Sequence, residues 1–128
     1  MTETSQPDVE TETTTFPQLV SLINEALLER KAEQLVVLDV SEITTLADYF
    51  IICSGGSDTH IKALADNVSE SIKESTGEHV WRREGLESKK WVVLDYVNVV
   101  VHVFNHETRS YYALENMWSD AKITSIED

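Results

Sequence analysis

The chain has 128 residues, 41% of them hydrophobic and 26% charged, and its 10 Lys and Arg against 23 Asp and Glu give a formal net charge of -13. That is the size and balance of one acidic domain able to bury a core without disulfides or a structural metal. It excludes an internal disulfide, since Cys53 is the one cysteine, and it disfavours direct binding of nucleic acid, since the nearest cationic cluster, Arg82, Arg83, Lys89 and Lys90, is interrupted by Glu84 and Glu87.

Met1 to Thr15 has four acidic residues, no basic one, and only Met1 and Val9 as apolar side chains, and is expected to be a disordered acidic tail. The same composition argues against a signal or transit peptide, and no run approaches the roughly 18 apolar residues of a membrane span. A reducing, cytoplasmic setting is expected. From residue 16 to 121 the pattern is that of a folded domain. Val20, Ile23, Leu27 and Leu28 recur at helical spacing after Pro17, which suits a first turn. Leu35 to Val40 is short, apolar on both faces and rich in branched residues, and reads as a buried strand. Tyr49 to Cys53 reads as a second, with Cys53 a buried inert thiol. It runs into Ser54-Gly55-Gly56-Ser57-Asp58, where the glycines permit positive φ and Ser57 or Asp58 can cap the next helix. That helix carries Ile61, Leu64, Ala65, Val68 and Ile72 on one stripe and ends near Gly77.

Glu78 to Arg83 is a weak strand candidate, and Glu84 to Lys90 a polar loop. Trp91 to Tyr96 and Val99 to Phe104 form a hairpin joined by Val97-Asn98. With a two-residue turn, Tyr96 faces Val99, Leu94 faces Val101 and Val92 faces Val103, all on one core face. The opposite face carries Trp91, Val93, Asp95, Val100, His102 and Phe104, and is either covered by a helix or offered to a partner. A last helix from about Glu107 places Tyr111, Leu114 and Trp118 on one stripe and Tyr112 beside it. Residues 122 to 128 are expected to be a polar tail. The sum is an α/β fold: a mixed sheet of about five strands with about three helices.

No catalytic constellation has diagnostic spacing among Asp39, Asp48, Asp66, Asp95, His60, His79, His102 and His106. A Gly-Ser turn that opens a helix after a strand can cradle phosphates, as in nucleotidyltransferases, but no Asp-x-Asp or Asp-x-Glu pair follows to hold Mg²⁺. Neither a catalytic residue, a metal ligand nor a cofactor is therefore assigned. Asp95 and His102 are diagonal neighbours on the less apolar face, and the expected role is a polar pair that orients surface side chains, with contact to a partner the alternative to it. An enzyme of nucleotidyltransferase type, using Mg²⁺ and a nucleoside triphosphate, is the alternative reading.

Ala47-Asp48-Tyr49-Phe50-Ile51-Ile52-Cys53-Ser54-Gly55, Ala65-Asp66, Glu84-Gly85, Trp91 to Tyr96, Val99 to Phe104 and Tyr112 through Trp118 together resemble the Iojap family, the ribosomal silencing factors. The resemblance runs from Leu38 to Ala121, with the motifs in order. Two turns depart from the family pattern: Val97-Asn98 stands where Gly-Asp is usual, and Gly55-Gly56 where a single glycine is usual. The resemblance implies a non-enzymatic factor with a nucleotidyltransferase-like fold. It implies binding to the large ribosomal subunit, through its fourteenth large-subunit protein, on the face where the small subunit docks. Such binding blocks subunit joining and represses translation when nutrients are short, and the free factor is a homodimer. Trp91, Asp95, Tyr96, His102 and Tyr112 are the partner-binding residues expected on this basis. An acidic chain suits a basic ribosomal protein.

Overall fold

The computed structural model describes residues 16–127. The elements follow in order as α1 (Gln18–Glu29), β1 (Glu33–Asp39), β2 (Tyr49–Ser54), α2 (Asp58–Thr76), β3 (Arg82–Glu84), β4 (Trp91–Asp95), β5 (Val99–Phe104), α3 (His106–Tyr112), α4 (Leu114–Met117) and β6 (Lys122–Ser125). One sheet has the strand order β3-β4-β5-β2-β1-β6. Its central pair, β2 and β5, is parallel, and every other neighbouring pair is antiparallel. The expected mixed α/β sheet is thus present, with a sixth strand. Lys122–Ser125 is not a tail: it pairs with β1 from Val36↔Ser125 to Asp39↔Lys122, so the sheet extends beyond residue 121. The expected acidic tail, Met1 to Thr15, lies outside the described residues.

The hairpin has the expected register, with Leu94 opposite Val101 and Val92 opposite Val103. Alternation then sorts side chains onto two faces. On one, Leu35, Val37, Ile51, Cys53, Val92, Leu94, Tyr96, Val99, Val101 and Val103 pack against Val20, Ile23, Leu27, Ile61, Leu64, Val68 and Ile72 of α1 and α2. Burial in this layer pushes the Cys53 thiol up to about 12, which keeps it protonated and inert. On the other face a smaller cluster of Leu38, Val40, Phe50, Ile52, Phe104 and Leu114 is closed by Trp91, Trp118 and Ala121. No helix of the described residues is long and apolar enough to cross a membrane.

Local signals account for the joints. Ser57 is the α2 cap, its hydroxyl accepting from His60 N at 3.0 Å, and Gly77 closes the helix in the left-handed region. Gly55 acts by its size and not by an unusual φ. A Cβ there would lie 2.8 Å from Ile61 Cγ1, so the missing side chain is what lets β2 turn closely under α2. The last helix is two helices, because Ala113 takes φ 46° and breaks the run after Tyr112. Tyr111 therefore leaves the stripe it was expected to share with Leu114: it is exposed while Leu114 is buried.

Candidate functional site

Trp91 opens β4 beside Gly85, where the chain folds back over the strand. Gly85 has φ 83°, and a Cβ there would come within 2.0 Å of the Trp91 carbonyl oxygen, so no other residue allows this approach. The Trp91 side chain lies on the less covered face. It stacks on Phe104, its cross-strand partner, with centroids 5.0 Å apart, and meets Tyr112 of α3 at 4.7 Å. Tyr111 stands edge-on to Tyr112 at 5.0 Å. The outer members of this cluster are open to solvent, Tyr111 at 81% and Tyr112 at 44% exposure, with Met117 at 67% on α4. Between the 85–90 loop and α3 lies a groove of about 410 Å³, lined by Ser88, Lys90, Trp91, Glu107, Tyr111 and Tyr112 among others.

Below Trp91 sits His102, 8% exposed. Its Nδ1 accepts the indole Nε1–H of Trp91 at 3.0 Å, and the Phe50 ring stands perpendicular to it at 5.3 Å. Burial holds the imidazole down at about 4, against a smaller opposing pull from Asp95, so it is neutral at physiological pH. Asp95 and His102 share this face but are not a pair. Asp95 Oδ1 accepts from Val97 N at 2.7 Å and Oδ2 lies 3.6 Å from Arg82 Nη2, which ties the carboxylate to the hairpin turn and to β3.

Of the five expected partner-binding residues, Trp91, Asp95, His102 and Tyr112 lie on this face, and Tyr96 does not. Tyr96 is 7% exposed in the layer beneath α2, and burial pushes its phenol up to about 12. The assignment of Tyr96 to the contact surface is therefore corrected. The physical reason is the strand alternation that sends it to the core side with Val99.

Sequence reasoning missed Arg109, which fastens the tyrosine-bearing helix to the sheet. Its buried guanidinium donates from Nη1 to Ser54 Oγ at 2.9 Å, and from Nε and Nη2 to Glu115 Oε2 at 3.0 and 2.6 Å. At the same end of the sheet His106 Nε2 and Glu33 Oε1 are 2.5 Å apart. The glycine turn lies here too, and three of its amides have internal acceptors: Gly55 N donates to the Phe104 carbonyl, Gly56 N to His60 Nδ1 and His60 N to Ser57 Oγ. Among the described residues no group of three or more His, Cys, Asp or Glu is placed to hold a metal ion.

A family model described as "Ribosomal silencing factor during starvation" matches residues 13–128. The chain belongs to the ribosomal silencing factor family. It is 39% identical over 110 residues to ribosomal silencing factor RsfS of Halalkalibacterium halodurans, covering 86% of this chain and 93% of that one. To RsfS of Bacillus subtilis it is 39% identical over 99 residues, covering 77% and 83%. A crystal structure of a Chromobacterium violaceum protein superposes with a TM-score of 0.78 at 33% identity, covering 90% of this chain and 95% of the other. The resemblance carried by the hairpin and the Tyr112 to Trp118 segment is thus a family relationship, and translation regulation is the setting of this silencing factor.

Proposed function

We propose that this silencing factor binds the large ribosomal subunit at its subunit-joining face, blocks docking of the small subunit and so represses translation in the cytoplasm. The contact runs through the fourteenth large-subunit protein, and the docking surface is the Trp91–Tyr112 cluster with Tyr111 and the adjoining groove. Asp95 lies at its hairpin end and His102 beneath it. The observation that carries the proposal is that cluster: large rings packed against one another, with Tyr111 and Tyr112 open to solvent, are the side chains that dominate protein interfaces and are wasted on a monomer's surface. The net charge of -13 supports a basic partner. Catalysis has no part in this reading: two of the glycine-turn amides, Gly55 N and Gly56 N, are bonded internally, and no Asp-x-Asp or Asp-x-Glu pair follows the turn to hold Mg²⁺. The free chain is proposed to be a homodimer, which sedimentation equilibrium checks.

The test is subunit joining in vitro. Purified large and small subunits, mixed with the protein and separated on a sucrose gradient, should remain apart, with the protein in the large-subunit fraction. Full subunit joining at saturating protein would overturn the reading.

A further inference from the structure

His102, expected to orient surface side chains or to touch a partner, is buried and hydrogen-bonded to Trp91. Its hydrogen bonding is more specific than packing requires. An indole nitrogen only donates, so the 3.0 Å contact from Trp91 Nε1 makes His102 Nδ1 the acceptor. The imidazole is then neutral with its proton on Nε2, and Nε2 is buried without a hydrogen-bond partner among the described residues. A leucine or phenylalanine would fill the space without leaving a buried N–H unsatisfied, which is a cost in stability. The return on that cost lies on the outer side of the ring. Trp91 is one cross-strand step from Phe104 and diagonal to His102, so stacking on Phe104 sets the height of the indole above the sheet but leaves it free to swing in its own plane. The bond to Nδ1 removes that freedom and leaves the other edge of the indole against Tyr112 and the groove.

We propose that His102 is a positioning residue of the docking surface: as the Nε2–H tautomer it accepts the Trp91 indole N–H and fixes the ring in its partner-ready orientation, so that the indole does not have to be ordered on binding. The role in docking rests on the surface proposed above; the bond between the two rings does not. Preorganising an anchor raises affinity by removing an ordering cost, and the scale is that of one hydrogen bond, about fivefold to tenfold in the dissociation constant.

The experiment uses the full chain with ¹⁵N-labelled tryptophan, in which the Trp91 indole signal is assigned by its loss in Trp91→Phe. In the native protein that N–H should exchange slowly with solvent. In His102→Leu it should exchange about tenfold faster, and binding to purified large subunits should weaken about fivefold to tenfold. His102→Asn, whose side-chain oxygen reaches about the place of Nδ1, should recover most of both effects, which a merely space-filling role would not produce. Unchanged indole protection in His102→Leu overturns the proposal, as does failure of Asn to rescue. So does native affinity in His102→Leu when Trp91→Ala binds weakly. If Trp91→Ala also binds normally, the docking surface is what fails, and the exchange data still decide the bond between the rings.

Discussion

The two faces of the sheet are closed by different chemistry. Beneath α1 and α2 the side chains of β1, β2, β4 and β5 are almost all aliphatic, interdigitated and sealed. On the other face the same strands present Trp91, His102, Phe104 and Phe50, covered only in part by two short helices held through Arg109. Because neighbouring residues of β4 and β5 point to opposite sides, Leu94 and Val92 lie in the sealed core while Trp91 lies in the proposed docking surface, within one five-residue strand. The difference teaches where substitutions should be felt: in folding on the first face, in binding on the second.

The sharpest way to break that division is to truncate matched residues. Leu94→Ala deletes a fully buried side chain and should cost about 2 to 5 kcal/mol of folding free energy by urea unfolding, with large-subunit affinity unchanged wherever the variant is folded. Trp91→Ala and Tyr112→Ala should each weaken binding by about 2 kcal/mol or more, while costing less stability than Leu94→Ala, since each ring keeps a solvent-facing side. Equal losses of stability on the two faces, with no separate loss of binding, would erase the distinction.

Acid sharpens it in a second way, because His102 on the aromatic face is a buried group that changes charge in acid, whereas Cys53 and Tyr96 on the sealed face are pushed up to about 12. His102 titrates at about 4 when folded and near 6.5 when unfolded, so the unfolded chain takes up the proton first as the pH falls. Its contribution is complete above pH 6.5 and is lost between 6.5 and 4. The loss is about 3 kcal/mol, taking about 1.4 kcal/mol per unit. Carboxylates titrate in the same range, so the quantity to measure is the stability difference between the native protein and His102→Leu. That difference should move by this amount between pH 7 and pH 4, in favour of the variant at low pH. A difference independent of pH would show that the imidazole is not held neutral.

Charge predicts a smaller, kinetic effect. If an acidic chain meets a basic protein through an aromatic patch, raising salt from about 50 to 300 mM should slow association and leave dissociation nearly constant, since screening acts on long-range attraction and not on stacked rings. Stopped-flow mixing with large subunits separates the two rates. A salt-independent association rate would assign the net charge to solubility alone.

The sequence carried the sealed face more fully than the open one. Stripes such as Ile61, Leu64, Ala65, Val68 and Ile72, and the alternation of Val92, Leu94, Val101 and Val103, are patterns that burial alone imposes, and they came out in place. The other face is held by contacts that leave no periodic trace. Arg109 looks like a surface cation, and its partner Glu115 is six residues on, across the Ala113 break, at no helical spacing. β6 is polar and short, and only its pairing with β1 makes it a strand. Tyr96 shows the opposite error: the register already placed it beside Val99 in the core, and its aromatic character outweighed its position in the reading of the surface.

Val97 lies in the turn that joins β4 to β5, and it supplies the smallest expected effect. It has φ 75°, a left-handed backbone that a β-branched side chain adopts only at a cost of about 1 to 2 kcal/mol. The turn is held in spite of the residue: Tyr96 N donates to the Val99 carbonyl, Val97 N to Asp95 Oδ1, and Asn98 N to the Tyr96 carbonyl. The valine side chain is itself exposed, so little packing is lost with it. In Val97→Gly the strain goes, and part of the gain is offset by the greater freedom of glycine in the unfolded chain, roughly 0.5 to 1 kcal/mol. The net expectation is a gain of about 0.5 to 1 kcal/mol, seen as a higher urea midpoint at unchanged slope. Binding should not change, because Val97 lies at the hairpin tip and the groove at the opposite end of β4, by Trp91. A gain in stability with a loss of affinity would place the hairpin tip inside the docking surface and extend that surface along the whole length of β4.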